Sequence, residues 1–458
     1  MARWLSPARW LGGFPPLGGF PRSSRYHLPM SMTSQLRYLT PETPGIGGVI
    51  KQRPEDFLVE EQPADAFTDA GEHLVLFVEK RNMTTNDLVR RTAKAFRVPR
   101  HAVGVAGMKD KHAITRQHLS VYLPDPAGDE DGLRRLNYHP HLSVLWHTRH
   151  ARKIRRGYHG GNRFVLRIRH VDPTAVIHAR PVLDRLAASG IPNYVGDQRF
   201  GFRQNGHLLG RMLLLDQPQA FIDEMLGQGD DADSPPLQIA RAAYRQGDYD
   251  EAMRHWPRQL RFDRQALDTL RQHKPAEAAI RAIDEGQRNF LVSAFQSAVF
   301  NHALDQRLRD GTFDRLLPGD LAWKHDNGAV FSVDAETAAK ENAEGGRVAT
   351  HEISPSGPMW GGDMIQPAGD VLALEQAALA AFDLREDQLT SDKIRADGRR
   401  RPLRVFLKDP DLAGGVDEHG PFVRIAFELQ RGAFATMVLR EIMKVDLHTP
   451  HHHSDESE

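Results

Sequence analysis

The stretch VGVAGMKDKHAITRQHLSV, Val103 to Val121, sets one carboxylate, Asp110, between Lys109 and Lys111. Apolar residues open it, Gly107 breaks it, and a β-like run with Thr115, Arg116 and Gln117 at its mouth leaves it. Strand, charged loop, strand is an arrangement that holds a side chain at the lip of a cleft. Taken alone, an aspartate between two lysines reads as a solvated turn. The residues on either side have to decide.

Just upstream, Thr84, Thr85 and Asn86 are cap-type residues, and Leu88, Thr92, Ala93 and Phe96 recur at helical spacing, which predicts a helix. HLVLFVEK, His73 to Lys80, reads as a strand. GIGGVIKQRPEDFLVEE, Gly45 to Glu61, reads as a Gly turn, a strand, an R-P-E-D corner and a second strand. Its glycines are not a phosphate loop, because no helix follows and no G-K-[ST] closes the motif. Downstream, KIRRGYHGGNRFVLRIRHV, Lys153 to Val171, is a basic turn running into a strand. A helix over 173–189 ends at Gly190, and residues 191–206 form a loop dense in Gly, aromatic and amide residues. A mainly helical region follows, then Gly/Pro turns with short strands over 316–365. Strands are expected again over 399–408 and 422–429, with a closing helix over 434–444.

The chain has 458 residues, enough for two or three domains, and no cysteine. Disulfides, thiol catalysis and Cys-ligated zinc are therefore excluded. No apolar run approaches the roughly 20 residues that would span a bilayer. Sixty basic residues balance sixty acidic ones, but their distribution is uneven. Eight Lys/Arg lie between Arg90 and Arg116 against a single acid, and eight more between Arg149 and Arg169 with none. Such a stripe suits a phosphate backbone as well as it suits a solvated face. H-E-x-x-H, G-x-S-x-G, Walker and Rossmann motifs are missing, so no metal site is expected. A carboxylate near cations, beside aromatics and basic strands, is what remains.

GVIKQRPEDFLVEE, AGMKDKHAITRQ, GGNRFVLRIR, GIPNYVGDQRFG, NFLVSAFQSAVFNHAL, LPGD and RGAFATMVLRE occur in that order from about residue 45 to 444. Together they resemble the tRNA pseudouridine synthase D (TruD) family. The resemblance implies an α+β fold: a pseudouridine-synthase catalytic domain with a mixed, largely antiparallel sheet flanked by helices, plus an inserted α/β TRUD domain, in a V-shaped two-domain molecule. The implied boundaries are 41–190 with 405–445 for the catalytic domain and 191–404 for the insertion. Residues 1–40 are expected to be a disordered extension or a misread start upstream of Met30 or Met32, and 446–458 a disordered tail.

The implied activity is isomerisation of a uridine in tRNA, uridine 13 by resemblance, to pseudouridine without a cofactor, by a cytoplasmic monomer. Asp110 would be the catalytic aspartate and Lys51 the cation paired with it. Phe57 would stack on the flipped uracil, Asn162 and Phe164 would line the uridine pocket, and Phe434 would complete its aromatic wall. Flipping a base costs a few kcal/mol, and an aromatic platform returns about 1–3 kcal/mol. Lys111 stands where many relatives carry arginine, and 207–288 is only loosely matched. A non-catalytic RNA-binding or chaperone protein and a carboxylate-based nucleoside hydrolase are the competing readings.

Overall fold

The computed structural model describes residues 36–229, 233–389 and 396–445. The expectations for residues 1–35 and 446–458 therefore lie outside the described residues. One sheet of eight strands dominates. Its strands are β1 (Phe57–Gln62), β2 (His73–Arg81), β3 (Val103–Val105), β4 (Ile114–Tyr122), β5 (Leu142–His150), β6 (Gly161–Arg169), β7 (Leu407–Asp417) and β8 (Gly420–Gln430). They are ordered β7-β8-β6-β1-β4-β2-β5, and β3 pairs with β4. Pairing is antiparallel except between β1 and β4. The expectation of a mixed, largely antiparallel sheet holds, and both ends of the chain build it.

Strand register sorts the residues onto two faces, because side chains alternate with period two. Lys80, Thr115, Val59, Phe164 and Phe427 lie in one row across β2, β4, β1, β6 and β8. On that face Phe57, Val59, Phe164, Leu166, Val423, Ile425 and Phe427 join one core with the helices Val176–Ser189 and Ala435–Met443. Residues Phe300, Leu304 and Met359 from the middle of the chain pack into the same core. The next row, on the opposite face, alternates in charge: Glu79, Arg116, Glu60, Arg163 and Glu428. Arg116 bonds both Glu79 (3.0 Å) and Glu60 (2.9 Å), and Arg163 pairs with Glu428 (3.3 Å). Each such cross-strand pair contributes roughly 0.2–1 kcal/mol.

That ladder trims the basic stripe expected from sequence. Besides Arg163 with Glu428, Arg149 pairs with Asp129, Arg167 with Asp417, and Arg169 with Asp56 and Asp417, so four of the eight basic residues of the second stretch are paired. Arg152, Arg155 and Arg156 remain exposed.

The described residues between 206 and 309 are mainly helical, as expected, and the longest helix among them, Glu285–Arg309, buries Phe295, Val299 and Phe300. A four-stranded antiparallel sheet follows, made of Leu321–Lys324, Val330–Ser332, Ile353–Met359 and Arg399–Pro402. Two strand expectations need correction. The run 399–408 is three pieces in three sheets: Arg399–Pro402 pairs with Ile353–Met359, Arg404–Val405 with Ile191–Pro192, and Leu407 begins β7. The segment before the R-P-E-D corner is not a strand. Val49 makes one isolated bridge to Arg169, and Lys51 turns away with φ +56°.

Candidate active site

The position of Asp110 follows from a shortage of strand edge. β1 pairs with the first half of β4, Ile114 to Arg116, and β3 with the second, Leu119 to Val121. The chain from Val105 back to Ile114 has no edge left to pair with, so it leaves the sheet plane. The helix Thr85–Ala95 pins it there. Thr85 Oγ1 accepts from the Lys109 backbone N–H at 2.9 Å and donates to Gln117 Oε1 at 3.3 Å. Gln117 lies two residues from Thr115, on the face of the sheet that carries Lys80, Val59 and Phe164.

Three lysines surround the loop. Lys51 Nζ donates to Asp110 Oδ2 at 2.7 Å and sits 4.3 Å from the centre of the Phe57 ring. The pair is half open, with 30% of the Lys51 side chain and 50% of the Asp110 side chain exposed. An ion pair so placed contributes about 0.2–1 kcal/mol, while a left-handed backbone at a non-glycine residue costs about 1–2 kcal/mol. The strain at Lys51 outweighs the pair, so stability does not account for the arrangement. Lys80 is wholly buried and donates to the carbonyl oxygens of Met83 (2.6 Å) and Asp110 (3.0 Å). Burial pushes its ammonium down to about 8, against the upward pull of Asp110. Lys109 is also buried. Its Nζ lies 3.4 Å from Glu61 Oε2 and donates to Asn162 Oδ1.

Glu61 is a second, hidden carboxylate. Where β1 departs from β4, its Oε1 accepts the His118 backbone N–H at 3.0 Å and lies 3.2 Å from His118 Nδ1. Burial alone would raise its pKa; the His118 bond and the charge of Lys109 outweigh that and hold it below the usual range.

The residues singled out from sequence fall as follows. Lys51, Asp110 and Phe57 meet in one contact chain. Asn162 lies opposite Glu61 and touches Lys109, the neighbour of Asp110. The glycine before it is required, because a Cβ on Gly161 would lie 2.4 Å from the Leu429 carbonyl oxygen of β8. Phe164 is buried against Phe427, with ring centres 5.6 Å apart. Phe57 is only 4% exposed, packed in the apolar core with Lys51 over its ring. Phe434 stands at the start of the closing helix and is 41% exposed.

Sequence reading missed Lys80, Lys109, Glu61 and the Asp56–Arg169 pair. Strand parity held the signal for Lys80, which follows Leu74, Leu76 and Val78 on their buried face. Arg169 is buried, bonds Asp56 Oδ1 at 2.6 and 2.9 Å and pairs with Asp417 at 2.6 Å, and so ties the corner leading into Phe57 to the β7–β8 hairpin. No residue spacing announces that clamp. Among the described residues no group of three or more His, Asp or Glu is placed to hold a metal ion.

Comparison with known proteins decides the family. The model of the family described as "tRNA pseudouridine synthase D (TruD)" matches residues 34–442. This chain belongs to the tRNA pseudouridine synthase D family. The protein of that name from Geobacter sulfurreducens is 41% identical over 410 residues, which covers 89% of this chain and 97% of the relative. Its counterpart from Geobacter metallireducens is 38% identical over 421 residues, covering 90% and 99%. A solved structure from Methanosarcina mazei assigned to TruD has the same fold, with a TM-score of 0.79, 24% identity and coverage of 92% of this chain and 99% of that one. Asp110 thus stands in the loop between β3 and β4 of a TruD-type fold, and no described helix is long and apolar enough to cross a membrane.

Proposed function

We propose that the protein isomerises a uridine of tRNA, uridine 13 by family resemblance, to pseudouridine, with Asp110 as its catalytic carboxylate. The observation that carries this reading is the Lys51–Asp110 pair at 2.7 Å, built on a strained Lys51 above Phe57, in a chain that the family spans almost end to end. The uridine leaves its stack and enters beside Asp110, which attacks as an ionised carboxylate; Lys51 favours that ionised form. The bond from N1 to the ribose breaks, the uracil turns in place, its carbon 5 bonds the ribose and gives its proton to solvent, N1 takes up a proton, and the Asp110 carboxylate is regenerated. Phe57, Phe164 and Phe434 supply the apolar wall, with Lys51 swinging off Phe57 as the base enters. Water must be excluded, because hydrolysis would leave free uracil and an abasic site. The residues involved supply acid–base and nucleophilic groups themselves, and the proposal invokes no cofactor.

The sheet shared by 57–169 and 407–430 supports treating 41–190 with 405–445 as the catalytic domain and 191–404 as an insertion. Nucleoside analysis of treated, unmodified tRNA tests the reading. Pseudouridine appearing at one position, located by carbodiimide-induced reverse-transcription stops, is the expected result. Free uracil would indicate the hydrolase, and tight binding with unaltered nucleosides the non-catalytic RNA-binding protein.

A further inference from the structure

Lys109, the neighbour of Asp110 in sequence, is 6% exposed at its side chain and its partner Glu61 1%, so two charges are buried together beside the loop. A buried ion pair is a weak source of stability, because desolvation offsets most of the attraction. What the pair contacts is therefore more telling than its strength. Lys109 reaches Asn162 Oδ1, and an ammonium has donors and no acceptor. The two ends of an amide are normally hard to tell apart. Here chemistry tells them apart, since the other end of Asn162 would set donor against donor. The oxygen of Asn162 is turned to Lys109, so its NH₂ is the end left to meet a ligand. Glu61 keeps Lys109 in place, and His118, stacked on Phe77 with ring centres 4.5 Å apart, keeps Glu61 in place.

We propose that Lys109, backed by Glu61, is a positioning residue that fixes Asn162 as a pure hydrogen-bond donor toward a carbonyl oxygen of the flipped uracil. The inference rests on the proposed function and adds how the base is read. Uracil offers carbonyl oxygens at positions 2 and 4, whereas cytosine carries an amino donor at position 4. A fixed donor gains one bond with a carbonyl, and a freely turning amide would accept either partner.

The test is a double-mutant cycle on kcat/KM, read as tritium release from tRNA carrying 5-tritiated uridine, with the full-length chain. The variants are Lys109→Met, Lys109→Arg, Asn162→Ala and the Lys109→Met/Asn162→Ala double variant. Lys109→Met is expected to lose about ten- to hundredfold, as for a hydrogen bond to a charged group. The double variant should lose no more than Asn162→Ala alone, because Lys109 acts through Asn162. Lys109→Arg, also a donor without an acceptor, should recover most of the loss. Glu61→Gln serves as a second probe if Lys109→Met does not fold, and its loss should likewise vanish in an Asn162→Ala background. Additive losses, or Lys109→Met turning over like wild type, would overturn the inference while leaving the function intact. No release by wild type would remove the function and the inference with it.

Discussion

At the residue scale the site is a set of lysines doing different work. Lys51 faces the carboxylate of Asp110, Lys109 faces Asn162, and Lys80 never reaches solvent. Lys80 holds the carbonyl of Asp110 itself, so it fixes the height of the loop. Replacing it with Met leaves the Met83 and Asp110 carbonyls short of a donor. Lys80→Met should cut kcat well beyond its effect on the urea midpoint, measured on the same preparation. Its titration has a definite sign. The folded ammonium is pushed down to about 8, below the unfolded value, so folding penalises the charged form. That penalty is complete below pH 8 and disappears as pH rises from about 8 toward the ordinary lysine range. The stability of wild type relative to Lys80→Met should therefore grow over that window. A flat difference between the two urea midpoints from pH 7 to 10 would contradict it.

At the element scale, local pattern was legible and edge competition was not. Runs of β-forming residues announced β2, β6 and β8, and Thr84 announced the helix it caps, its Oγ1 accepting from Asp87 N–H. The run VIK looked like a strand by composition, yet the edge beside Arg169 gives it a single bridge. The loop of Asp110 was read correctly as a loop, but its seat on the sheet depends on β1 and β3 sharing one edge of β4. That is a fact of register between segments some 50 residues apart, and no window of sequence contains it. The same holds for Arg169, which reads as the last basic residue of a strand and is the clamp on the R-P-E-D corner. Arg169→Met strands the fully buried Asp56 carboxylate and should cost about 3–5 kcal/mol of stability. Chemical denaturation checks it, and a loss under about 1 kcal/mol would show that the corner is held by other contacts.

At the scale of the whole molecule, one sheet gathers residues from both ends of the chain and sets the charged loop on it. Family motifs revealed that organisation before any coordinates did, since composition alone is neutral and ordinary. The basic stripe was legible only in part, because sequence cannot say which arginines face carboxylates across a sheet. Of those left exposed, Arg155 and Arg156 line a depression with Asn86 and Met108, which is two residues from Asp110. On the proposed function these two arginines would meet RNA phosphates. An Arg155→Ala/Arg156→Ala variant should raise KM with kcat largely kept, and should lower the salt dependence of tRNA binding by roughly 0.7–0.9 in log–log slope per lost contact. An unchanged slope would move the phosphate contacts elsewhere.

The central claim is that Asp110, held against Lys51 on this sheet, performs an isomerisation that exchanges the hydrogen at carbon 5 of uridine. Single-turnover tritium release from tRNA labelled at that carbon, with excess wild type or Asp110→Ala, tests it most directly. Release in proportion to the target uridine by wild type, and none by Asp110→Ala that still binds tRNA, is the predicted result. Equal release by both proteins would contradict the account.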